Sequence, residues 1–464
     1  MLNLEGVEIK EIKSVSGLAE NMKKDSVEDL LKSPEKNLEK HFGRNQEKQP
    51  EKNHKKDPEN ESEAHQSLYR ESLAMHRNFG GVLEVASKVP LQTIYDLSVA
   101  YTPGVAEPCR KISEDQELVY LYTLKRNTVA VITDGSAVLG LGNIGPYAAL
   151  PVMEGKAIIF KEFAGIDAFP ICLDTQETEK IIKAVKHLAP VFGGINLEDI
   201  SSPRCFEIES RLREELDVPV MHDDQHGTAI VLFAGLLNAL KIVNKELKDL
   251  KIVISGIGAA GVAIFRFLIR EGADPAKIIT SDSKGLVYEG RKNGMNSIKK
   301  EIARLTNPKK LKGGLENALQ GADLFIGVSV GGIVTENMIR SMAKDSIVIT
   351  MANPLPEIMP DAAKRAGARI VATGRSDFPN QLNNCLSFPG VFKGALSTCA
   401  RKITSEMETA AAHALAEVVT IRELSEDHII PDPLDKRVVP AVAKAVSSAS
   451  LESCVARKRH EEKL

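Results

Sequence analysis

Cysteine is sparse and scattered: Cys109, Cys172, Cys205, Cys385, Cys399 and Cys454 form no CxxC pair. That spacing argues against a disulfide framework or a zinc site and favours free thiols in a reducing compartment. Neither sign of charge dominates. A formal net charge of −3 gives no reason to expect nucleic acid or an anionic membrane as a partner. No apolar run reaches the roughly 18–20 residues that a membrane span requires, and the N-terminus lacks the apolar core of a secretory signal. No internal repeat is visible. These absences lead us to expect a soluble, cytoplasmic protein. The chain has 464 residues, 43% hydrophobic and 27% charged, which is enough for two or three domains with full-sized cores.

The texture changes along the chain. After a mildly apolar start, Asn37–His65 is almost entirely Lys, Glu, Asn, Gln, Asp and Pro. Such a segment cannot bury enough apolar surface to offset its ordering entropy, so residues 1–65 read as a disordered, charged extension. Its acids argue against an organellar transit peptide. Ser67–Val82 carries a helical pattern, and Tyr101-Thr102-Pro103-Gly104 reads as a turn fixed by Pro and Gly. A tyrosine in such a turn is ordinarily just a half-buried aromatic.

From Thr128 the pattern is α/β. Thr128–Thr133, Lys156–Phe160, Ala168–Leu173 and Val218–Met221 read as short apolar strands of a parallel sheet, with a glycine-dense loop at Val138–Ala148. Ala229–Val243 is apolar at helical spacing and leads into a second α/β unit. There Gly256-x-Gly258-x-x-Gly261 follows the strand Lys251–Ser255 and precedes an apolar helix. Asp282 ends the next strand about 20 residues past the last glycine, where a dinucleotide fingerprint places a ribose-binding acid. This context makes Gly256, Gly258, Ala259, Ala260 and Gly261 cofactor-binding positions; the alternative is a glycine turn serving only helix–strand packing. Asp282 favours NAD, because an acid there repels a 2′-phosphate, while Ser281, Ser283, Lys284 and Arg291 leave NADP open. Strands at Asp323–Val328, Ser346–Met351 and Ala368–Ala372 continue the alternation. The expected fold class is α/β: a catalytic domain over residues 66–227, then a Rossmann-like dinucleotide-binding domain with C-terminal helices over 228–464, behind the disordered extension.

The chemistry concentrates in adjacent acids. Asp223 and Asp224, flanked by His222 and His226, join a short apolar run to a long one, where open α/β sheets place ligands. Paired acids repel, so a divalent metal, a lysine, or both should balance them. Glu198-Asp199 form a second pair and Lys156 a candidate cation. Each has a bland reading: helix-capping acids, a first helical turn, a solvated lysine. His222 and His226 have the i, i+4 spacing of zinc ligands, but carboxylate neighbours suit Mg²⁺ or Mn²⁺ better.

Taken together, these strings resemble the malic enzymes. The resemblance runs through SVAYTPGVAEPC around Tyr101, DGSAVLGLGNIG (Asp134–Gly145), MEGKAIIFKEFAGID (Met153–Asp167), GGINLEDI (Gly193–Ile200) and HDDQHGTA (His222–Ala229). It continues through the Gly256–Gly261 fingerprint, ANPLPEI (Ala352–Ile358) and Asn380–Gly390, over about residues 68–450. The likeness is closest to the smaller, bacterial-type branch. It implies oxidative decarboxylation of L-malate to pyruvate and CO₂ with NAD⁺ or NADP⁺ and a divalent metal, in a homodimer or higher homo-oligomer. Carried over by position, it makes Glu198, Asp199 and Asp224 metal ligands, Lys156 the general base with Asp223 beside it, and Tyr101 the general acid. Asn353 and Asn384 match substrate-contacting positions, Asn353 contacting the cofactor as well. Burial near a cation is expected to lower the pKa of Lys156 so that it can accept a proton. The larger branch has an arginine where Ala137 stands, and Arg375 is a candidate substitute. Two rivals remain. A malolactic enzyme would retain its NADH and release lactate, and a silent nucleotide-binding regulator would lack some of these side chains.

Overall fold

The computed structural model describes residues 58–457. Residues 1–57 of the expected extension lie outside the described residues. From Pro58 the chain is helical, and the helix expected from Ser67 lies within α1, Pro58–Phe79. Residues up to Ser72 group separately from Leu73–Leu464, the unit considered below. It begins with two short helices, α2 (Ile94–Ala100) and α3 (Ala106–Glu114), in which no residue is buried.

The first sheet holds β1 (Thr128–Thr133), β2 (Asp167–Cys172), β3 (Gly194–Leu197) and β4 (Val220–His222). The order is β2-β1-β3-β4, parallel throughout. Helices α4 (Gly145–Ala164), α5 (Thr178–Leu188) and α6 (Arg204–Glu215) connect them. The strand expected at Lys156–Phe160 is instead the middle of α4. Its buried residues Ala149, Met153, Lys156, Ala157, Phe160 and Ala164 recur at helical spacing. A four-residue apolar run does not distinguish the two states; the surrounding periodicity does. Left-handed Gly165 stops the helix, its N–H bonded to the Lys161 carbonyl at 2.8 Å.

Helix α7, Asp223–Val243, crosses to the second sheet. It has the length and apolarity of a membrane span, contrary to the expectation that no run reaches that length. Most of it is packed inside the protein, as a core helix is. The second sheet comprises β5 (Ile252–Ser255), β6 (Ile278–Asp282), β7 (Gly285–Leu286), β8 (Leu324–Gly327), β9 (Ile347–Thr350) and β10 (Ile370–Thr373). Its order is β10-β9-β8-β5-β6-β7, with only the edge strand β7 antiparallel. Helices α8 (Ala259–Arg270) and α9 (Ser297–Leu305) belong to this part. β5 is where the order reverses, and the glycine fingerprint follows it directly.

The chain then returns to the first sheet through α10 (Phe388–Ser397), α11 (Ser405–Val418) and α12 (Val438–Glu452). Phe388 and Phe392 pack edge-on against Phe160 of α4, with ring centroids 4.7 and 5.4 Å away. Such pairs contribute about 0.5–1.5 kcal/mol each beyond the area they bury.

Candidate active site

Three neighbouring parallel strands of the first sheet deliver acids at their carboxyl ends. Asp134 follows β1, Glu198-Asp199 follow β3, and Asp223-Asp224 follow β4 as the first turn of α7. Open α/β sheets bind ligands at this edge. Glu198-Asp199 are therefore strand-end residues and not the start of a helix. Asp199 turns the chain at φ 53°, in the left-handed region that asparagine and aspartate tolerate best. Its N–H donates to Asp224 Oδ2 at 2.8 Å, tying the second acid pair to the first. Ligand oxygens of Glu198, Asp199 and Asp224 all lie within 4.8 Å of one another.

Lys156 reaches into this cluster from α4. Its Nζ is 2.7 Å from Asp223 Oδ2 and 2.9 Å from Glu198 Oε1, and 4.3 Å from the centre of the Phe388 ring. Lysine and both carboxylates are buried. Asn384, in the turn before α10, donates its Nδ2 to the same Asp223 oxygen, and Asn196 donates to Glu198 at 2.8 Å. Gly227 explains how Asp223 fits. A Cβ there would lie 1.8 Å from Asp223 Oδ1, so a helix that would gain about 1 kcal/mol from alanine keeps glycine.

Burial pushes Lys156 down, but Asp223 and Glu198 outweigh it and hold the ammonium charged. Burial pushes Asp223 up to about 6 against the pull of Lys156. Glu198 is also raised, by burial and by Asp224. The lysine is thus a protonated partner of carboxyls that hold their own protons unusually well.

The two histidines do not form a metal pair. His222 ends β4, fully buried, with Nδ1 3.6 Å from Asp224 Oδ2. His226 sits between two buried carboxylates, 2.9 Å from Glu209 Oε1 and 2.9 Å from Glu408 Oε1. Arg270 of α8 donates to Glu408 at 3.1 Å, and Gln225 donates to Glu209 at 3.0 Å. One network therefore links α6, the first turns of α7, the dinucleotide helix α8 and α11. Burial lowers His226, but the two glutamates raise it to about 10. Burial raises Glu408 in turn, but His226, with Arg213 and Arg270, overcomes it and holds Glu408 at about 2. Sequence reasoning missed this cluster because its members are spread from residue 209 to 408, and only Gln225 and His226 fall in a motif. Phe388 was likewise visible only as part of a string.

At the second sheet the three fingerprint glycines do different work. A Cβ on Gly256 (φ 103°) would lie 2.4 Å from the Val328 carbonyl, and one on Gly261 would lie 1.8 Å from the Gly256 carbonyl. A Cβ on Gly258 meets nothing within 4 Å. Two glycines are needed by the fold, and the third leaves room for a ligand beside the first N–H groups of α8, at Ala259 and Ala260. Gly258→Val should therefore fold like the wild type and bind nucleotide at least roughly tenfold more weakly, a loss of about 1.4 kcal/mol. Titration calorimetry with the reduced cofactor, alongside circular dichroism, reads both; unchanged affinity would show that the open space is not the cofactor's.

Asp282 does not stand free. Its Oδ1 accepts from the Lys284 N–H and Arg291 Nη1, both at 2.8 Å, and its Oδ2 from Arg291 Nη2 at 2.5 Å and Lys299 Nζ at 2.7 Å. The roughly four lone-pair sites of the carboxylate are all taken. Burial raises the group, but these donors hold it at about 2. Asn353 follows β9 and is exposed, its carbonyl 2.6 Å from the place of a Cβ on Gly140. The structure does not bond it to the Lys156 cluster. Arg375 is bound at both ends of its guanidinium by Asp377, at 2.8 and 2.7 Å, so it does not stand ready in place of an arginine at Ala137. Tyr101, C-capping α2, is 66% exposed.

A strand-end acid cluster with a buried lysine, joined to a dinucleotide turn at a sheet's switch point, defines a nicotinamide-dependent α/β oxidoreductase. Residues 81–213 match the family model for the malic enzyme N-terminal domain, and residues 225–451 match that for the malic enzyme NAD binding domain. A bifunctional malic/malolactic enzyme of Bacillus subtilis is 58% identical over 391 residues, 84% of this chain and 95% of that one. An NADP-dependent malic enzyme of Halomonas elongata is 46% identical over 82% of this chain and 92% of its own. The crystal structure of an NAD-dependent malic enzyme from Thermotoga maritima aligns with TM-score 0.78 and 51% identity, covering 81% of this chain and 98% of that one. The chain belongs to the malic enzyme family.

Proposed function

We propose that the protein oxidatively decarboxylates L-malate to pyruvate and CO₂ while reducing NAD⁺ or NADP⁺. The observation that carries this reading is the convergence of Lys156, Asp223 and Asn384 on the oxygen cluster of Glu198, Asp199 and Asp224. Three clustered carboxylates without soft donors suit a hard dication, Mg²⁺ or Mn²⁺. Such an ion, when bound, supplies Lewis-acid polarisation of the substrate's oxygens.

The chain's own groups supply the rest. In its neutral form, which a cation held at Glu198 would favour, Lys156 takes the C2 hydroxyl proton, and Asp223, 2.7 Å away, holds the ammonium that forms. Asn384 orients that carboxyl. Hydride leaves C2 for the nicotinamide, the resulting β-keto acid loses C4 as CO₂, and Tyr101 protonates C3 of the enolate. Glu198 shares its charge with Lys156, so the ion site and the base are coupled.

Cofactor choice follows from Asp282. With Arg291 and Lys299 paired to it, the local charge is net positive, and a 2′-phosphate is not repelled as a free acid would repel it. We infer that both cofactors are accepted. The malolactic reading has one observation in its favour, the name of the Bacillus subtilis relative.

The test is an assay of L-malate with Mn²⁺ and either cofactor, following reduced nicotinamide and identifying the product, with a chelator control. We expect pyruvate with stoichiometric, chelator-sensitive reduction of both NAD⁺ and NADP⁺. Lactate without net reduction would select the malolactic reading, and no turnover of malate would overturn both.

A further inference from the structure

We propose that Glu357 is a positioning residue for the nicotinamide half of the cofactor, its carboxylate tying the loops after β8 and β9 into one wall of the dinucleotide cleft. This rests on the reading of the second sheet as the nicotinamide-binding part given above. Glu357 is fully buried, and among the described residues no lysine, arginine or histidine pairs with it. It holds backbone instead. Its Oε1 accepts from the Ser329 N–H at 2.8 Å, and its Oε2 accepts from the Ala352 N–H at 3.2 Å. Ser329 lies just beyond β8 and Ala352 just beyond β9, so one side chain joins the ends of neighbouring strands.

The surroundings are shaped to this carboxylate. A Cβ on Gly327, the last residue of β8, would lie 2.4 Å from the Glu357 carboxyl carbon, so the strand ends in glycine to admit it. The Val334 N–H donates to the Glu357 carbonyl and the Gly332 N–H to the Pro356 carbonyl, both at 3.0 Å. Ser329 Oγ lies 3.1 Å from Ser255 Oγ, and Ser255 ends β5 directly before Gly256 of the fingerprint. The tie therefore runs from β9 through β8 to the dinucleotide turn. Burying a carboxylate without a counterion is costly. What it gives in return is direction, because each oxygen must face its own N–H group.

The tied loops lie on a definite side of the cleft. A dinucleotide lies across the point where strand order reverses, here β5, with β6 on one side and β8 then β9 on the other. Asp282, the ribose-acid position, ends β6, so the adenosine half belongs over β6 and the nicotinamide half over β8 and β9. The two loops present groups suited to a ring and its carboxamide. Val330 and Leu355 are apolar and 64 and 50% exposed, and Asn353 is exposed beside Ala352. The Asn353 carbonyl also meets Gly140, in the loop between β1 and α4. Acting through Ser329 and Ala352, Glu357 thus sets where this wall stands against the loops of the first sheet.

The experiment is equilibrium binding of two probes to the full chain, NADH and ADP-ribose, by titration calorimetry without malate. ADP-ribose has the adenosine, the diphosphate and the second ribose, and lacks the nicotinamide. Glu357→Gln keeps the shape but has one acceptor oxygen, so one of the two N–H groups is left facing an amide NH₂. The binding-competent wall is then populated only part of the time, and the apparent affinity for NADH falls by that fraction, about tenfold. The affinity for ADP-ribose stays at the wild-type value. Glu357→Asp keeps the charge and is too short to reach both N–H groups. It should lose NADH in the same way, and it decides the matter if Glu357→Gln does not fold. An equal loss of both probes would make Glu357 a residue of the sheet's fold alone and overturn the proposal, as would unchanged affinity for NADH. A wild-type chain that binds neither probe is a separate result: it would remove the nucleotide reading of the second sheet, and the proposal with it.

Discussion

Lys156→Ala should lower kcat by about 10²–10⁴-fold, the usual worth of a positioned acid–base group, with a much smaller change in KM for malate. The lysine is fixed by Asp223 at 2.7 Å, Glu198 at 2.9 Å and the face of Phe388 at 4.3 Å. Its removal takes away the proton acceptor and the only ammonium bonded to those two carboxylates. Two roles must be separated, base and counterion, and Lys156→Arg separates them. An arginine restores the positive charge but stays protonated throughout the working pH range. A counterion would be rescued by arginine; a base would not. We expect both variants to be inactive, Lys156→Arg retaining more stability than Lys156→Ala. Steady-state kinetics with matched unfolding curves decides it, and wild-type turnover in either variant would sink the assignment.

The second large effect is on stability. Glu408→Gln keeps the shape of the side chain and removes its charge, leaving His226 with Glu209 alone and Arg270 without its buried partner. Breaking a buried ion pair from one side costs roughly 3 kcal/mol or more. The pH dependence has a definite sign. Glu408 is held at about 2 against an ordinary 4.5, so its contribution is complete above that ordinary value and fades as pH falls toward 2. His226 is raised to about 10 from 6.5, so its contribution is complete below 6.5 and fades as pH rises through 10. The gap between wild type and Glu408→Gln should be widest between about pH 4.5 and 6.5 and narrow on both sides. Urea unfolding at pH 6 and pH 9 tests this. Equal gaps at both would show that His226 does not share its proton with Glu408.

Much of this arrangement was legible in the residues. Thr128–Thr133 and Lys251–Ser255 declare strands through β-branched and apolar runs. The three glycines declare the turn after β5, and the HDD string declares a strand ending in acids. Lys156 was placed on the wrong element, because a short apolar run fits strand and helix alike. The partners of a buried group come from distant segments: Asp223 is 67 residues from Lys156 and bonds in turn to Asn384, a further 161 along. Arg291 stood out in the sequence only as a residue that could accommodate a 2′-phosphate; that it and Lys299 pair with Asp282 shows only once the fold closes them onto it. Of the Glu408 network only His226 stood out in the sequence, and as a possible metal ligand, since burial and not residue type makes these charges matter.

The return of the chain to its first sheet has a consequence for synthesis on the ribosome. Gly194 of β3 faces the ring of Phe392, 3.0 Å from where its Cβ would be, and Phe160 is covered by Phe388 and Phe392. That apolar face is complete in sequence once β4 has been made, yet its cover emerges only after the whole second sheet. The nascent first sheet thus waits, uncovered, while the chain from Asp223 to Phe388 is translated, the interval in which partly folded chains aggregate. Asn384 arrives with the same late segment, so the lysine cluster is not complete until the second sheet has been made.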